Sequence, residues 1–300
     1  MQQPYEAEGL LVGLLVPYED NHVICAVKPQ GMLSQADATG AQDMLSVLRA
    51  RIKAERGKPG DAFVGLVHRL DRPVGGIMVF AKTSKAASRL SAQIRERRFE
   101  KTYRAVVEGR PSPGSGRIEH IITKPAAGGR VRVSEAPQNA MTQKGWAALE
   151  YRVLATNPAA NKSLIEVKLI TGRPHQIRAQ FAHIGHPVSG DRKYGAPQAQ
   201  RAQQASQATQ ATQASQAPQA TQTQWMQRAP QETQATQAAQ APGMRQIARP
   251  GDGAAQPEQW PALWAVEIAF ERTVGSGRIV VQSPPPSCYP WDLFYEQQVD

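Results

Sequence analysis

Asp71 is the first residue whose surroundings suggest chemistry, because it lies between Arg69 and Arg72 in the run His-Arg-Leu-Asp-Arg-Pro. Positive charge on both sides favours the ionised carboxylate, which suits a nucleophile or a base and does not suit a general acid. Gly75 and Gly76 follow closely and let another backbone or a ligand approach. From this run alone, an Arg–Asp pair that ties down a loop explains the sequence equally well.

A second polar cluster occupies residues 171–178, with the sequence Thr-Gly-Arg-Pro-His-Gln-Ile-Arg. Its proline suits the first turn of a helix, and anions are favoured at helix N-termini. The predicted helix buries Ile177, Phe181 and Ile184 and ends at Gly185. Arg178 is suited to bind a carboxylate elsewhere in a site with both arms of its guanidinium. An ordinary helix with surface arginines is the alternative.

Tyr103 lies in a predicted strand between Lys101 and Arg104. A tyrosine in a strand is typically a core residue. With basic neighbours it also suits a platform on which a base stacks beside a groove that follows phosphates.

Several common kinds of site are absent from the sequence. It contains no GxxxxGK[ST] phosphate loop, no GxGxxG, no HExxH and no GxSxG. His175, His183 and His186 lie close together, but no cysteine or nearby carboxylate completes a ligand pattern, and Asp191 alone is weak support. We therefore predict no metal site.

The elements that must position these motifs alternate between helix and strand. Apolar residues at helical spacing predict a helix over residues 41–53, and Thr83 and Ser84 can cap a second helix that buries Ala87, Leu90 and Ile94. Strands are predicted over residues 76–81, 103–107, 147–153, 165–169, 264–270 and 278–282, the last two joined by a Gly-Ser-Gly turn. The pattern predicts an α+β fold with a mixed, mainly antiparallel sheet and flanking helices.

Residues 196–256 differ sharply from the rest, because they consist mostly of Gln, Ala, Thr and Ser up to residue 243 and stay rich in Pro and Gly thereafter. Such a segment buries too little apolar surface to offset its ordering entropy. We predict a disordered insertion in one domain formed by residues 1–195 and 257–300. A Gln-rich interaction tract is the alternative.

Composition limits the class of partner and the compartment. The 300 residues carry a net charge of +10, which favours nucleic acid first and an anionic membrane second. Cys25 and Cys288 form no CxxC pair, so a reducing compartment is expected. The apolar run at residues 10–16 is too short to span a bilayer. A cytoplasmic protein without membrane contact is predicted.

Taken together, the three runs resemble the motifs of RluA-family pseudouridine synthases. HRLDRPVGGIMVFAKTSKAA resembles the catalytic motif, KTYRAVVEG the tyrosine motif, and TGRPHQIRAQFAHIGHPVSGDRKYG the late arginine motif. Three motifs in the same order are far more specific than one. One departure is Gly75, which stands where the family often has serine.

The resemblance implies the pseudouridine synthase fold with a central basic cleft, and isomerisation of a uridine in ribosomal or transfer RNA without a cofactor. A monomer is expected. It implies that Asp71 is catalytic, that Tyr103 stacks on the target base and that Arg178 pairs with Asp71. Arg69 would hold RNA or fill the place of the flipped base, and Ile177 would lie against the site. The other residues expected to contact RNA are His68, Arg72, Lys101, Arg173, His175 and Gln176. A catalytically inactive RNA-binding paralogue and a protein that binds a small phosphate compound at the Arg173 helix terminus remain alternatives.

Overall fold

Eleven strands form one sheet in the computed structural model, which describes residues 14–56, 62–125, 129–195 and 260–297. The strands are β1 Tyr18–Glu19, β2 Val23–Lys28, β3 Gly65–Leu66, β4 Gly75–Ala81, β5 Glu100–Glu108, β6 Ser115–Thr123, β7 Arg132–Glu135, β8 Trp146–Asn157, β9 Lys162–Leu169, β10 Leu263–Glu271 and β11 Arg278–Gln282. Their order is β1-β2-β4-β10-β5-β9-β8-β6-β7, with β3 beside β4 and β11 beside β10. The fold class is α+β, as predicted.

The sheet is mainly antiparallel, and its one parallel pairing among the described strands joins β4 to β10. β10 therefore lies between β4, which follows the Asp71 loop, and β5, which carries Tyr103. The strand that returns after the long polar segment is thus central to the sheet. The predicted hairpin of β10 and β11 is confirmed, with Gly275 and Gly277 in its turn at positive φ.

Three α-helices accompany the sheet: α1 Met44–Arg56, α2 Ser84–Arg95 and α3 Gln176–His183. Short 3-10 helices cover Ala140–Thr142 and Trp291–Gln297. α1 begins three residues later than predicted, because the Asp43 carboxylate accepts the Ser46 N–H at 3.1 Å and so caps the helix. The predicted cap of α2 is confirmed, since Thr83 Oγ1 accepts the Ala86 N–H at 3.1 Å.

α3 confirms part of its predicted apolar face. Ile177 and Phe181 are buried, whereas Ile184 is exposed, so the prediction that Ile184 is buried was wrong. The helix ends at His183, and Ile184 is its C-cap residue, which lies beyond the last buried turn. Gly185 follows at φ +89, so the predicted helix stop at this glycine is confirmed.

Gly75 has a packing reason in this chain. A Cβ atom at residue 75 would lie 2.1 Å from Cζ3 of Trp264, the residue that pairs with it across β4 and β10. The indole ring therefore occupies the space that a serine side chain would need. Residue 75 therefore has no room for the serine that the resemblance suggested.

The described residues all belong to one structural unit, formed by Met1–Ala196 and Ala255–Asp300. The predicted disordered insertion at residues 196–256 lies outside the described residues and stays a prediction. Within the described ranges, no helix has the length and apolar character needed to cross a membrane.

Candidate active site

A cavity of about 990 Å³ brings the three sequence motifs together. Its wall includes all three residues predicted to be catalytic, Asp71, Tyr103 and Arg178. Six cationic side chains line it against two carboxylates, those of Asp71 and Glu100; the cations are Arg69, Arg95, Arg97, Lys101, Arg173 and Arg178. A cavity with this excess of positive charge attracts polyanions.

The backbone around Asp71 is fastened to a loop that the sequence motifs did not include. Lys28 is fully buried, and its Nζ donates to the carbonyl oxygens of Pro29 at 3.0 Å, Met32 at 2.7 Å and Arg72 at 3.1 Å. Burial lowers the Lys28 pKa to about 7, although the nearby Asp71 charge opposes this. The ammonium group of Lys28 thus links the carbonyl of Arg72, the residue after Asp71, to the loop that contains Pro29 and Met32.

Ser34 fastens the residue before Asp71. Its hydroxyl donates to the Leu70 carbonyl at 2.7 Å and accepts the Leu70 N–H at 3.1 Å. Gln30 donates to the Pro73 carbonyl at 3.2 Å. The backbone on both sides of the carboxylate is therefore hydrogen-bonded to residues 28–34.

Arg178 contacts two carboxylates in different ways. Its Nε donates to Asp191 Oδ2 at 2.6 Å and its Nη2 to Asp191 Oδ1 at 2.8 Å, whereas only Nη1 reaches Asp71, at 3.3 Å. The Asp191 side chain is fully buried, and its Oδ1 also accepts the N–H groups of Lys193 and Tyr194. The two-point partner of Arg178 is therefore Asp191, and the contact with Asp71 is a single, longer hydrogen bond.

His175 approaches the same Asp71 oxygen, Oδ2, as Arg178 does. Its Nε2 is 4.0 Å from Asp71 Oδ2, and its Nδ1 is 2.7 Å from the Tyr194 hydroxyl, which accepts the Val131 N–H. Burial lowers the His175 pKa, although the nearby Asp71 charge opposes this. If Tyr194 donates to Nδ1, the remaining ring proton is on Nε2 and faces Asp71.

Tyr103 and Lys101 are two residues apart on β5, so both point to the cavity face of the strand. Tyr103 is 6% exposed, and burial together with the Asp71 charge raises its pKa. Burial also lowers the Lys101 pKa. Among the described residues, Lys101 has no carboxylate partner.

His68 is held in one tautomer. Its Nε2 accepts the Val79 N–H at 2.9 Å, so the ring proton is on Nδ1, which is buried and has no partner among the described residues. Burial, and then the charge of Lys101, lowers the His68 pKa to about 3. The ring stays neutral in the physiological range.

The other predicted RNA contacts differ in their placement. Arg69, Arg173 and Ile177 line the cavity, whereas Arg72 does not and donates its Nε to the Gly31 carbonyl at 3.0 Å. Gln176 lines the cavity but is 3% exposed. Its amide donates to the Ala148 carbonyl and accepts from the Thr171 hydroxyl and the Arg173 N–H.

One side-chain group could hold a metal ion, although the sequence predicted none. His120, Glu135 and His183 offer ligand atoms that lie within 4.8 Å of one another. However, the Gln180 amide, oriented by its bond to the Ala147 carbonyl, directs an N–H at His120 Nδ1. That contact leaves the proton on His120 Nε2, which does not suit ligation through this atom.

Comparisons with known proteins agree with this combination of fold and motifs. The family model for RNA pseudouridylate synthase matches residues 22–183. The dual-specificity RNA pseudouridine synthase RluA of Salmonella typhimurium is 34% identical over 191 residues, which are 62% of this chain and 79% of that protein. The chain belongs to the RNA pseudouridylate synthase family. Within that family it belongs with the RluA relatives that its motifs resemble.

Other relatives extend the comparison. The uncharacterized RNA pseudouridine synthase YhcT of Bacillus subtilis is 36% identical over 182 residues, 59% of this chain and 56% of that protein. The matched segments thus span little more than half of the first curated relatives. Human RNA pseudouridylate synthase domain containing 4 has the same fold, with a TM-score of 0.58 at 19% identity, covering 90% of this chain and 88% of that chain.

Proposed function

We propose that this protein isomerises a uridine of ribosomal or transfer RNA to pseudouridine, with Asp71 as the group that acts on the sugar. The observation that carries the proposal is the Asp71 carboxylate, which faces a strongly cationic cavity while Arg178 contacts it through one nitrogen. A protein that only binds RNA has no use for a carboxylate in such a place, because it repels phosphate. The relatives named as acting on ribosomal and transfer RNA support the substrate class.

The reaction breaks the C1′–N1 bond, turns the base in place and joins C5 to C1′. The C5 proton is lost and N1 gains one, so nothing is oxidised and no group is added. Asp71 serves either by attacking C1′ or by abstracting a sugar proton to give a glycal. Both routes need the ionised carboxylate, and the Arg178 guanidinium lies beside it at 3.3 Å.

The target nucleotide must leave its stack, at a cost of a few kcal/mol. In this proposal Tyr103 stacks on the flipped base, which recovers about 1–3 kcal/mol. Arg69 holds the RNA or fills the vacated position. Lys101, Arg173 and His175 contact the RNA from the cavity wall.

Three of the expected RNA contacts have local partners and are better assigned as positioning residues. Gln176 orders the loop before α3 through both of its amide atoms. Arg72 braces the residue 28–34 loop through the Gly31 carbonyl. His68 anchors β4 by accepting the Val79 N–H at Nε2, while its Nδ1–H is buried.

The test is Asp71→Asn, which keeps the shape and removes the charge. We expect pseudouridine formation to be abolished, while RNA affinity and the midpoint of thermal unfolding stay near the wild-type values. Retained turnover in Asp71→Asn would overturn the proposal. Wild-type protein that binds RNA but forms no pseudouridine would favour the inactive paralogue, and binding without a steep salt dependence would favour a small-molecule ligand. Mapping pseudouridines in a strain that lacks the protein would identify the uridine.

A further inference from the structure

Arg97 adopts a backbone conformation that usually belongs to glycine. It lies two residues after the end of α2, at φ +58, and its N–H donates to the Ile94 carbonyl at 3.3 Å. A left-handed residue just past a helix is common, but glycine is favoured there because a Cβ atom is strained. An arginine in this place suggests a use for its side chain.

The left-handed turn brings Arg97 to Trp146. Its Cζ lies 5.3 Å from the centre of the indole ring. On the same tryptophan, Arg173 Nε donates to the main-chain carbonyl at 2.9 Å. Trp146 thus anchors two guanidinium groups that come from distant segments, and both line the cavity of Asp71.

The charge of this pair is not neutralised within the described part of the chain, where neither Arg97 nor Arg173 has a carboxylate partner. Glu119 is the acidic residue that touches Trp146, through Nε1 at 3.0 Å, and its other oxygen is paired with Arg117 at 2.6 Å. An arginine over an aromatic ring keeps its N–H edge available for an anion. Both arginines are exposed side chains, so a large ligand can reach them.

We propose that Arg97 and Arg173 form a subsite for a backbone phosphate of the RNA next to the target nucleotide, with Trp146 as its rigid support. The subsite rests on the proposed function and adds to it a contact outside the target base. Two guanidinium groups without acidic partners match a phosphodiester, which accepts hydrogen bonds in the plane of an arginine. The subsite holds the strand while Asp71 and Tyr103 act on the flipped nucleotide.

The test is Arg97→Gly, since glycine relieves the left-handed backbone and removes only the side chain. We expect the affinity for a single-stranded oligouridylate to fall about tenfold at low salt, and the slope of log affinity against log salt to fall by about 0.7. The midpoint of thermal unfolding should not decrease. If Arg97→Gly proves unstable, Arg97→Asn serves instead, because asparagine also tolerates this conformation.

Arg98→Ala is the matched control, because it removes the same charge from the next residue. Arg98 is already paired with Glu96 and Glu271, so its loss should change affinity much less. Equal effects of the two variants, or wild-type affinity and salt slope in Arg97→Gly, would overturn the subsite. An equal loss for uridine 5′-monophosphate would overturn the assignment to a flanking phosphate.

These outcomes separate the subsite from the proposed function. Arg97→Gly should form pseudouridine with a raised KM and a nearly unchanged kcat, whereas Asp71→Asn should lack turnover at any RNA concentration. If Asp71→Asn stays active, the catalytic role of Asp71 fails although the Arg97 binding result stands, and if the wild-type protein forms no pseudouridine, the proposed activity itself fails. If Arg97→Gly binds RNA like the wild type while Asp71→Asn lacks turnover, only the subsite proposal fails.

Discussion

Arg178 grips Asp191 with two nitrogens, at 2.6 and 2.8 Å, and this buried carboxylate fixes the plane of its guanidinium. Asp71 meets the remaining nitrogen, Nη1, at 3.3 Å. A carboxylate held by one longer hydrogen bond keeps lone pairs for chemistry, whereas a carboxylate gripped by both arms would lose them. The sequence predicted that Arg178 pairs with Asp71. Asp191 instead orients the guanidinium, and Asp71 receives a single hydrogen bond from it.

Asp191→Asn should lower kcat by about tenfold or more with little change in KM, because the Arg178 guanidinium then loses its orientation beside Asp71. It should also lower the free energy of unfolding by about 3–5 kcal/mol, since the buried cation loses its partner. Steady-state kinetics and urea unfolding measure the two effects.

Glu166→Gln is the control for Asp191→Asn. Glu166 pairs with an exposed arginine, Arg152, at 3.0 Å, and surface pairs contribute about 0–1 kcal/mol. If Asp191→Asn behaved like Glu166→Gln in kinetics and stability, Arg178 would not depend on Asp191 for its position.

Lys28→Met tests whether Lys28 positions the Asp71 loop or binds RNA. Methionine fills a similar volume but cannot donate to the carbonyls of Pro29, Met32 and Arg72, so the Asp71 loop loses one of its links to residues 28–34. We expect kcat to fall about tenfold while the affinity for RNA is nearly unchanged, with a loss of about 2–3 kcal/mol in unfolding free energy because three hydrogen bonds from a buried donor are lost.

Lys85→Met, on the exposed face of α2, controls for the loss of one positive charge. It should leave kcat and stability close to wild type. A Lys28→Met enzyme that weakened RNA binding and kept its kcat would instead assign Lys28 to the RNA interface.

The sequence predicted the parts of the fold and site whose signals are local. Alternating and helical patterns of apolar residues predicted the α-helices and most of the strands. The three motifs contained Asp71, Tyr103 and Arg178, which line one cavity. The roles assigned to these residues stay predictions until they are tested. Ile184 was misplaced because the pattern does not reveal that α3 ends one residue earlier.

Contacts between distant segments could not be predicted from the sequence. Lys28 is 44 residues from Arg72, and no spacing rule connects a lysine to carbonyl groups that far away. Asp191 lies within the late arginine motif, but its contact with Arg178 depends on how the chain turns after α3. Glu135, which lies 48 residues before His183, brings a carboxylate to the histidines that the sequence had left without one.

Gly75→Ser should destabilise this chain even though the family often has serine here. The new Cβ would meet the Trp264 ring, so we expect unfolding free energy to fall by about 2–3 kcal/mol from overpacking. In a Trp264→Leu background, which vacates that space, the same substitution should cost less than about 1 kcal/mol. Additive losses in this double-mutant cycle of urea unfolding would show that Trp264 is not the reason for the glycine.

His68 should make the free energy of unfolding depend on pH in a range where the protonation of carboxylates is not the main contribution. Its pKa in the folded protein is about 3, below the ordinary value of 6.5, so the unfolded chain binds a proton that the folded ring does not. The contribution of His68 to the free energy of unfolding is therefore fully present above pH 6.5. It is lost as the pH falls towards 3, by at most about 1.4 kcal/mol per pH unit. His68→Gln can still accept the Val79 N–H and does not titrate. Urea unfolding between pH 6.5 and 5 should give a shallower dependence for His68→Gln than for wild type, and parallel curves would mean that His68 is protonated as easily in the folded protein as in the unfolded chain.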